Sequence, residues 1–145
     1  MHAWLWGKSP RRTSAAGLRG QYSALLAGST ENAASRFDLT RATWVRTDGV
    51  PLADSAAELA AGRTKASLSM TLDGMNVTAQ TVWTGSVSET PDGAASNPAT
   101  CQDWTTVGSA VGGVAQPTYA GTWAFGYGVT ISCSQPVEHL YCLER

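Results

Sequence analysis

The folds open to this chain are limited by its last third, where Cys101, Trp104, Cys133 and Cys142 sit among Gly, Ser and Thr. That stretch opens at Val82-Trp83-Thr84-Gly85-Ser86, passes Cys101-Gln102-Asp103-Trp104 and closes on Leu140-Tyr141-Cys142-Leu143-Glu144. A tryptophan in each of two strand-like runs, with cysteines distributed across a long polar loop, fits a small extracellular domain stapled by disulfides. Three reduced, buried thiols in a cytosolic protein are the other reading of the same cysteines.

Bulk properties narrow the function classes. A chain of 145 residues makes one domain, large enough to bury a core without a structural metal. The net charge is −1 and only 14% of residues are charged, which argues against general attraction to nucleic acid or an anionic membrane. No apolar run approaches the roughly 18 residues that span a bilayer. Ala, Gly, Ser and Thr are abundant and Lys is almost absent, a composition that suits a loop-rich exported protein. Met1-His2-Ala3-Trp4-Leu5-Trp6-Gly7-Lys8 has no basic segment before its apolar residues and no apolar stretch of secretory-signal length. The expectation is therefore either a mature chain or a true start lying upstream, with secretion or the cell envelope as the location.

Turn and cap signals divide the chain. Ser9, Pro10 and Gly17 predict a short helix over 10–16, from N-cap through first position to left-handed stop. Residues 21–27 are ambiguous by pattern, and Ser29 or Thr30 can cap a short turn of helix through Arg36. A strand is predicted over 42–47, followed by a turn at Asp48-Gly49. Asp54 or Ser55 caps a helix through Ala61 that ends at Gly62, with Leu59 on its buried face. Further strands are predicted over 66–72, running into a turn at Asp73-Gly74, and over 81–85, 102–107 and 138–144. The Gly-, Ser- and Thr-rich segments 85–100 and 107–130 read as loops. Short helices early and short strands with long loops late predict an α+β fold.

Six motifs then carry a resemblance. Residues 15–27, Ala-Ala-Gly-Leu-Arg-Gly-Gln-Tyr-Ser-Ala-Leu-Leu-Ala, resemble the Ala-Val-Gly-Leu-Ala-Gly-Thr-Phe-Arg-Ala-Phe-Leu segment of collagen-derived endostatins. Residues 54–62 fall where that family has a short helix ending in Ser-Gly, and Leu72-Asp73-Gly74 is similar to its Phe-Asp-Gly. Val82-Trp83-Thr84-Gly85-Ser86 resembles Val-Trp-His-Gly-Ser, and Cys101-Gln102-Asp103-Trp104-Thr105 resembles Cys-Glu-Thr-Trp-Arg. The closing Leu-Tyr-Cys-Leu-Glu is similar to Val-Leu-Cys-Ile-Glu. Bacterial secreted proteins with an endostatin-like domain look closer still. The resemblance covers residues 13–145 in register and leaves 1–12 as a leader. It implies the C-type lectin-like fold: a twisted antiparallel sheet, two flanking helices and a long-loop region, with 21–27 as a strand.

Departures from the family pattern matter as much. The family has four cysteines, paired first to last and second to third; the first is missing here. Carried over, the resemblance pairs Cys101 with Cys133 and leaves Cys142 an unpaired thiol. That thiol is either available for intermolecular pairing or kept inert by burial. The family's opening strand is missing too, which would expose the backbone of the closing strand. Either His2 to Trp6 substitutes as a strand, covering that edge with Trp4 and Trp6, or the leader is disordered. A dimer through Cys142 or through an exposed sheet edge is a further expectation; the sequence does not specify the oligomeric state.

Metal and catalytic chemistry find little in the chain. Calcium-binding lectins of this fold use Glu-Pro-Asn or Gln-Pro-Asp with Trp-Asn-Asp, whereas this chain has Asn97-Pro98-Ala99 and Gln135-Pro136-Val137. Asp92, Asp103 and Glu89 are too scattered for the six or more oxygens, at about 2.4 Å, that calcium needs. Endostatin-type zinc binding would retain only His2 and Asp48, short of three protein ligands. The expectation is no metal and no cofactor. His139 reads as a structural histidine on the face of Tyr141 and Leu143. No serine lies in Gly-x-Ser-x-Gly, and Gly112-Gly113 reads as loop rather than phosphate cradle. Asn76-Val77-Thr78 fits a glycosylation acceptor, of consequence only in a eukaryotic secretory host.

Two candidate binding surfaces remain. Thr122-Trp123-Ala124-Phe125-Gly126-Tyr127-Gly128 alternates rings with small residues, so an extended segment sets Trp123, Phe125 and Tyr127 on one face, with Tyr119 nearby. Such rings suit a sugar or aromatic ligand, or else fill the inner loop layer. Lys8, Arg11, Arg12 and Arg19 concentrate near the start, favouring sulfated or acidic glycans, or else form a solvated helix face. The expected function is a non-enzymatic extracellular binding or adhesion module for a glycan or an extracellular or envelope protein. A structural cell-envelope domain is the alternative, and an unrecognised hydrolase a distant third.

Overall fold

The computed structural model describes residues 2–7, 21–37, 43–78, 81–86, 99–106, 110–115, 118, 120–121, 129–135 and 139–144. Within these the chain is α+β. Seven strands, β1 (His2–Gly7), β2 (Tyr22–Ala24), β3 (Val45–Arg46), β4 (Val82–Trp83), β5 (Val111–Ala115), β6 (Thr130–Ser132) and β7 (His139–Glu144), form a sheet of order β3-β1-β7-β4-β5-β6. The sheet is mixed rather than antiparallel throughout, because β1 pairs β3 in parallel and β4 pairs β7 in parallel.

The closing strand is the axis of this sheet. β1 runs antiparallel along one of its edges, from Ala3 opposite Leu143 to Gly7 opposite His139. The other edge is divided: β2 takes residues 142–144 and β4 takes 139–140. The edge that the family pattern would leave bare is therefore paired. Tyr141, Cys142 and Leu143 are 0%, 1% and 2% exposed. Three successive buried side chains mean that both faces of the strand are covered, as in the centre of a sheet. Between β2 and β4 the backbone continues this bonding, Leu25 N–H to Tyr141 O at 2.8 Å and Ala27 N–H to Thr84 O at 2.8 Å.

One core packs against that axis. Trp44, Leu52, Leu68, Val82 and Tyr141 are its largest fully buried apolar side chains, joined by Leu25, Phe37, Leu59 and Leu143. Phe37 meets Trp44 edge-on at 6.2 Å, a geometry the ring quadrupoles favour. Trp44 stays in place because Leu52 N–H donates to its carbonyl at 2.7 Å across the turn at Asp48-Gly49, where Gly49 has φ +84°. The Arg46 guanidinium locks that turn, bonding both Asp48 carboxylate oxygens (2.6 and 3.1 Å) and the Ser67 carbonyl (3.0 Å). Arg46 holds the Asp48 carboxyl below its ordinary pKa.

The short helix α1 (Ala56–Ala60) forms as its cap residues predict. The Ser55 hydroxyl accepts from Glu58 N–H at 3.2 Å while the Glu58 carboxylate accepts from Asp54 N–H at 3.0 Å, a close variant of the capping box. Gly62, at φ +70°, follows its end, and Leu59 is 2% exposed. Lys65 reaches back to pair with Asp54.

Elsewhere the observed elements differ from the expected ones. The helix expected after Ser29 or Thr30 is only a 3-10 turn, Ala34–Arg36, approached by the Asn32 side chain, which accepts from Ser35 N–H at 2.8 Å. Over 66–72 isolated bridge positions at Met70, opposite Asn76, and at Thr71 stand in place of a strand, and Thr71 closes the following turn on Met75 through its hydroxyl as well as its backbone. The segment 107–130, expected to be loop, contains β5, whose glycines Gly112 and Gly113 pair with Ile131 and Thr130 of β6. The strand expected over 102–107 is instead α2 (Cys101–Trp104), a helical turn. The helix expected over 10–16 lies outside the described residues, as do the side chains of Trp4 and Trp6.

Candidate functional site

Among the described residues, those that depart furthest from ordinary backbone geometry are in α2. Cys101, Gln102, Asp103 and Trp104 have φ of +51°, +54°, +54° and +64°, so the turn is left-handed. An L side chain there crowds the following carbonyl at about 1–2 kcal/mol per residue, and none of the four is glycine. The turn persists because each end is fastened. At its start Cys101 is disulfide-bonded to Cys133, with Cα atoms 5.8 Å apart. In its middle the Asp103 carboxylate accepts from Ser29 twice, from the N–H and from the hydroxyl, both at 2.6 Å. Those bonds, the hydroxyl's first, hold the Asp103 carboxyl below its ordinary pKa. At its end the Trp104 indole N–H donates to Ala27 O at 2.9 Å.

Two glycines let this knot close. Trp104 meets Trp83 of β4 edge-on at 5.8 Å. A Cβ on Gly85 would stand 2.9 Å from both the Ala27 carbonyl oxygen and the Trp104 ring, at a φ of +73°. A Cβ on Gly112 would stand 2.3 Å from the Trp83 ring and 2.8 Å from Cys101 Sγ. Gly112 is thus in a strand because a ring and a sulfur occupy the space of a side chain, a requirement that local glycine content conceals. Gly112→Ala is expected to destabilise the domain by about 1–3 kcal/mol through overpacking. Urea unfolding should show the lower midpoint, whereas an unchanged midpoint would mean that Trp83 yields freely.

Cys142 sits apart from this knot. Its thiol is free and the residue is 1% exposed on β7, so a partner's sulfur cannot reach it while the sheet is closed. Of the two readings of this thiol, burial within the sheet is the one its position matches. Burial pushes the thiol up to about 12 from an ordinary value near 9, leaving it protonated and a poor nucleophile. Burial also raises the neighbouring Tyr141 hydroxyl well above its ordinary value. Between about pH 9 and pH 12 the unfolded thiol ionises while the folded one does not. Stability present below pH 9 is therefore lost as pH rises, by up to about 1.4 kcal/mol per unit. Denaturant midpoints at pH 8 and pH 10 should differ for the native chain and differ less for Cys142→Ala.

The residues expected to bind ligand, Arg11, Arg12, Arg19, Tyr119, Trp123, Phe125 and Tyr127, all lie outside the described residues. The described chain frames the aromatic run at both ends. Before it, Gly121 N–H donates to the buried Thr64 at both its hydroxyl (2.7 Å) and its carbonyl (3.0 Å). After it, Thr130 enters β6 opposite Gly113, and Cys133 N–H donates to Ala110 O at 2.8 Å. His139 is half-buried at the start of β7. No group of three or more His, Cys, Asp or Glu residues among the described ones has the arrangement of a metal site. Among the described residues no helix is long and apolar enough to cross a membrane. Sequence reading missed the Ser29–Asp103 clamp, since nothing local marks two residues separated by 74 positions as partners.

No family model matches the chain, and no curated protein matches it.

Proposed function

We propose that this chain is a non-enzymatic extracellular module of the endostatin-like, C-type lectin-fold class, secreted or held in the cell envelope, that binds a glycan through its long-loop region. The observation that carries the proposal is the fastening of both flanks of the aromatic run, by Gly121 on Thr64 and by β6 leading to the Cys101–Cys133 disulfide. Fixed loop ends lower the entropy lost when rings stack on a ligand. Trp123, Phe125 and Tyr127, with Tyr119, supply stacking faces for sugar rings. Arg11, Arg12 and Arg19 supply charge for acidic or sulfated groups. A disulfide fits an oxidising compartment.

Binding to a glycan array, with Trp123→Ala and Arg11→Ala as variants, tests this reading. Loss of signal in Trp123→Ala, with weaker and salt-sensitive loss in Arg11→Ala, is the expected pattern. An array with no bound glycan would favour a structural envelope domain. Labelling by serine-directed activity probes would instead revive an enzyme.

A further inference from the structure

We infer that the Cys101–Cys133 disulfide is a redox latch that holds α2 left-handed, and that its reduction by a dithiol lets the turn relax and release Trp104 and Asp103 from the Ala27–Ser29 segment. This inference is independent of the glycan-binding reading.

Runs of non-glycine residues at positive φ persist only where their surroundings over-determine them, and they gather at switch regions and clamps. The four residues of α2 are such a run. Their anchors are unequal. Ser29 and Asp103 are both exposed, so water can replace that pair with little net loss. The indole bond to Ala27 O is a single neutral hydrogen bond. Only the disulfide is covalent, and it ties the first residue of the turn to Cys133 at the end of the β5–β6 hairpin. The same sulfur and the Trp83 ring against which Trp104 rests fill the space a side chain at Gly112 would take. Freeing Cys101 therefore removes the strongest restraint on a backbone that already favours another conformation.

The step balances with a dithiol as reductant. Its thiolate attacks the sulfur of Cys133, the more exposed of the pair at 9% against 4%, and Cys101 leaves as thiolate. The second thiol then displaces Cys133 and closes the reductant's own disulfide. Two electrons pass to the protein, and the reductant's two thiol protons end on Cys101 and Cys133.

Amide hydrogen exchange on the intact chain before and after dithiothreitol, with free thiols trapped by alkylation and counted by mass, reads the outcome. The amides of Ser29, Trp104 and Thr106 should exchange about tenfold faster or more after reduction. Those of Tyr141 and Leu143 should keep their protection, and reoxidation should restore the original rates. The near-ultraviolet circular dichroism of the Trp83–Trp104 pair should change in parallel. In Gln102→Gly, which lifts the side-chain penalty at an exposed position of the turn, the response to reduction should shrink. Unchanged rates in a chain shown to be reduced would overturn the latch. Loss of β7 protection would also overturn it, making the disulfide a staple of the whole fold. A Gln102→Gly response equal to that of the native chain would overturn the role given to the left-handed turn.

Discussion

Trp44→Ala should lower the free energy of unfolding by about 3–5 kcal/mol, the range for emptying a buried tryptophan site. Trp44 is 0% exposed and lies in the core with Phe37, Leu52, Leu68 and Tyr141. Phe37, edge-on at 6.2 Å, loses its ring partner as well. The size of the effect depends on volume rather than polarity, and a second substitution separates the two. The indole N–H of Trp44 is buried without a hydrogen-bond partner, an arrangement that costs about 1–3 kcal/mol. Trp44→Phe removes that donor while keeping most of the apolar volume, so its net loss should stay within about 1–2 kcal/mol. Urea denaturation followed at 222 nm measures both. Equal losses for the two variants would mean that the site collapses around either residue. Domains of this size have about 5–15 kcal/mol of stability in all, so the alanine variant loses a large share of it.

The paired substitution Cys101→Ala with Cys133→Ala is the other large effect. The bridge closes a loop with a sequence separation of 32, for which chain entropy gives about 3.5–4 kcal/mol. In a domain of this length that corresponds to a fall of roughly 10 °C in Tm. Replacing both cysteines avoids a lone thiol that could be oxidised to a disulfide with Cys142 once the chain unfolds. Relaxation of the left-handed turn returns part of its strain, about 1–2 kcal/mol per residue, so the measured loss should fall below the chain-entropy figure. Calorimetry of the double variant against the oxidised native chain gives the number. A loss larger than the chain-entropy figure would mean that the bridge positions core packing beyond the loop it closes.

Signals confined to a few neighbouring residues were legible in the sequence. Ser55 and Gly62 mark α1 by cap and stop chemistry, Asp48-Gly49 marks its turn, and the apolar run at 140–143 marks the closing strand. Failures occurred where distant residues decide. Trp104-Thr105-Thr106-Val107 has the β-branched and aromatic content of a strand, yet Ser29, Ala27 and Cys133 hold the start of that run in a turn. Gly112-Gly113 has the content of a loop, yet the Trp83 ring and Cys101 sulfur make glycine the residue that fits a strand there. The Cys101–Cys133 pairing came from the family resemblance, not from spacing. Of the candidate site, the residues bearing rings and arginines lie outside the described chain, and its fastenings at Thr64 and β6 depend on partners that no local pattern links.

The place of β7 has a consequence for biosynthesis. Two strands from the first quarter of the chain, and one from just past its middle, find their common neighbour only in residues 139–144. A nascent polypeptide emerging from the ribosome therefore carries β1, β2 and β4 with no template between them until that hexapeptide is translated. Such high contact order slows folding, and the waiting strands have unsatisfied edges that invite self-association. A stop codon before residue 139 should therefore yield an aggregate rather than a smaller domain.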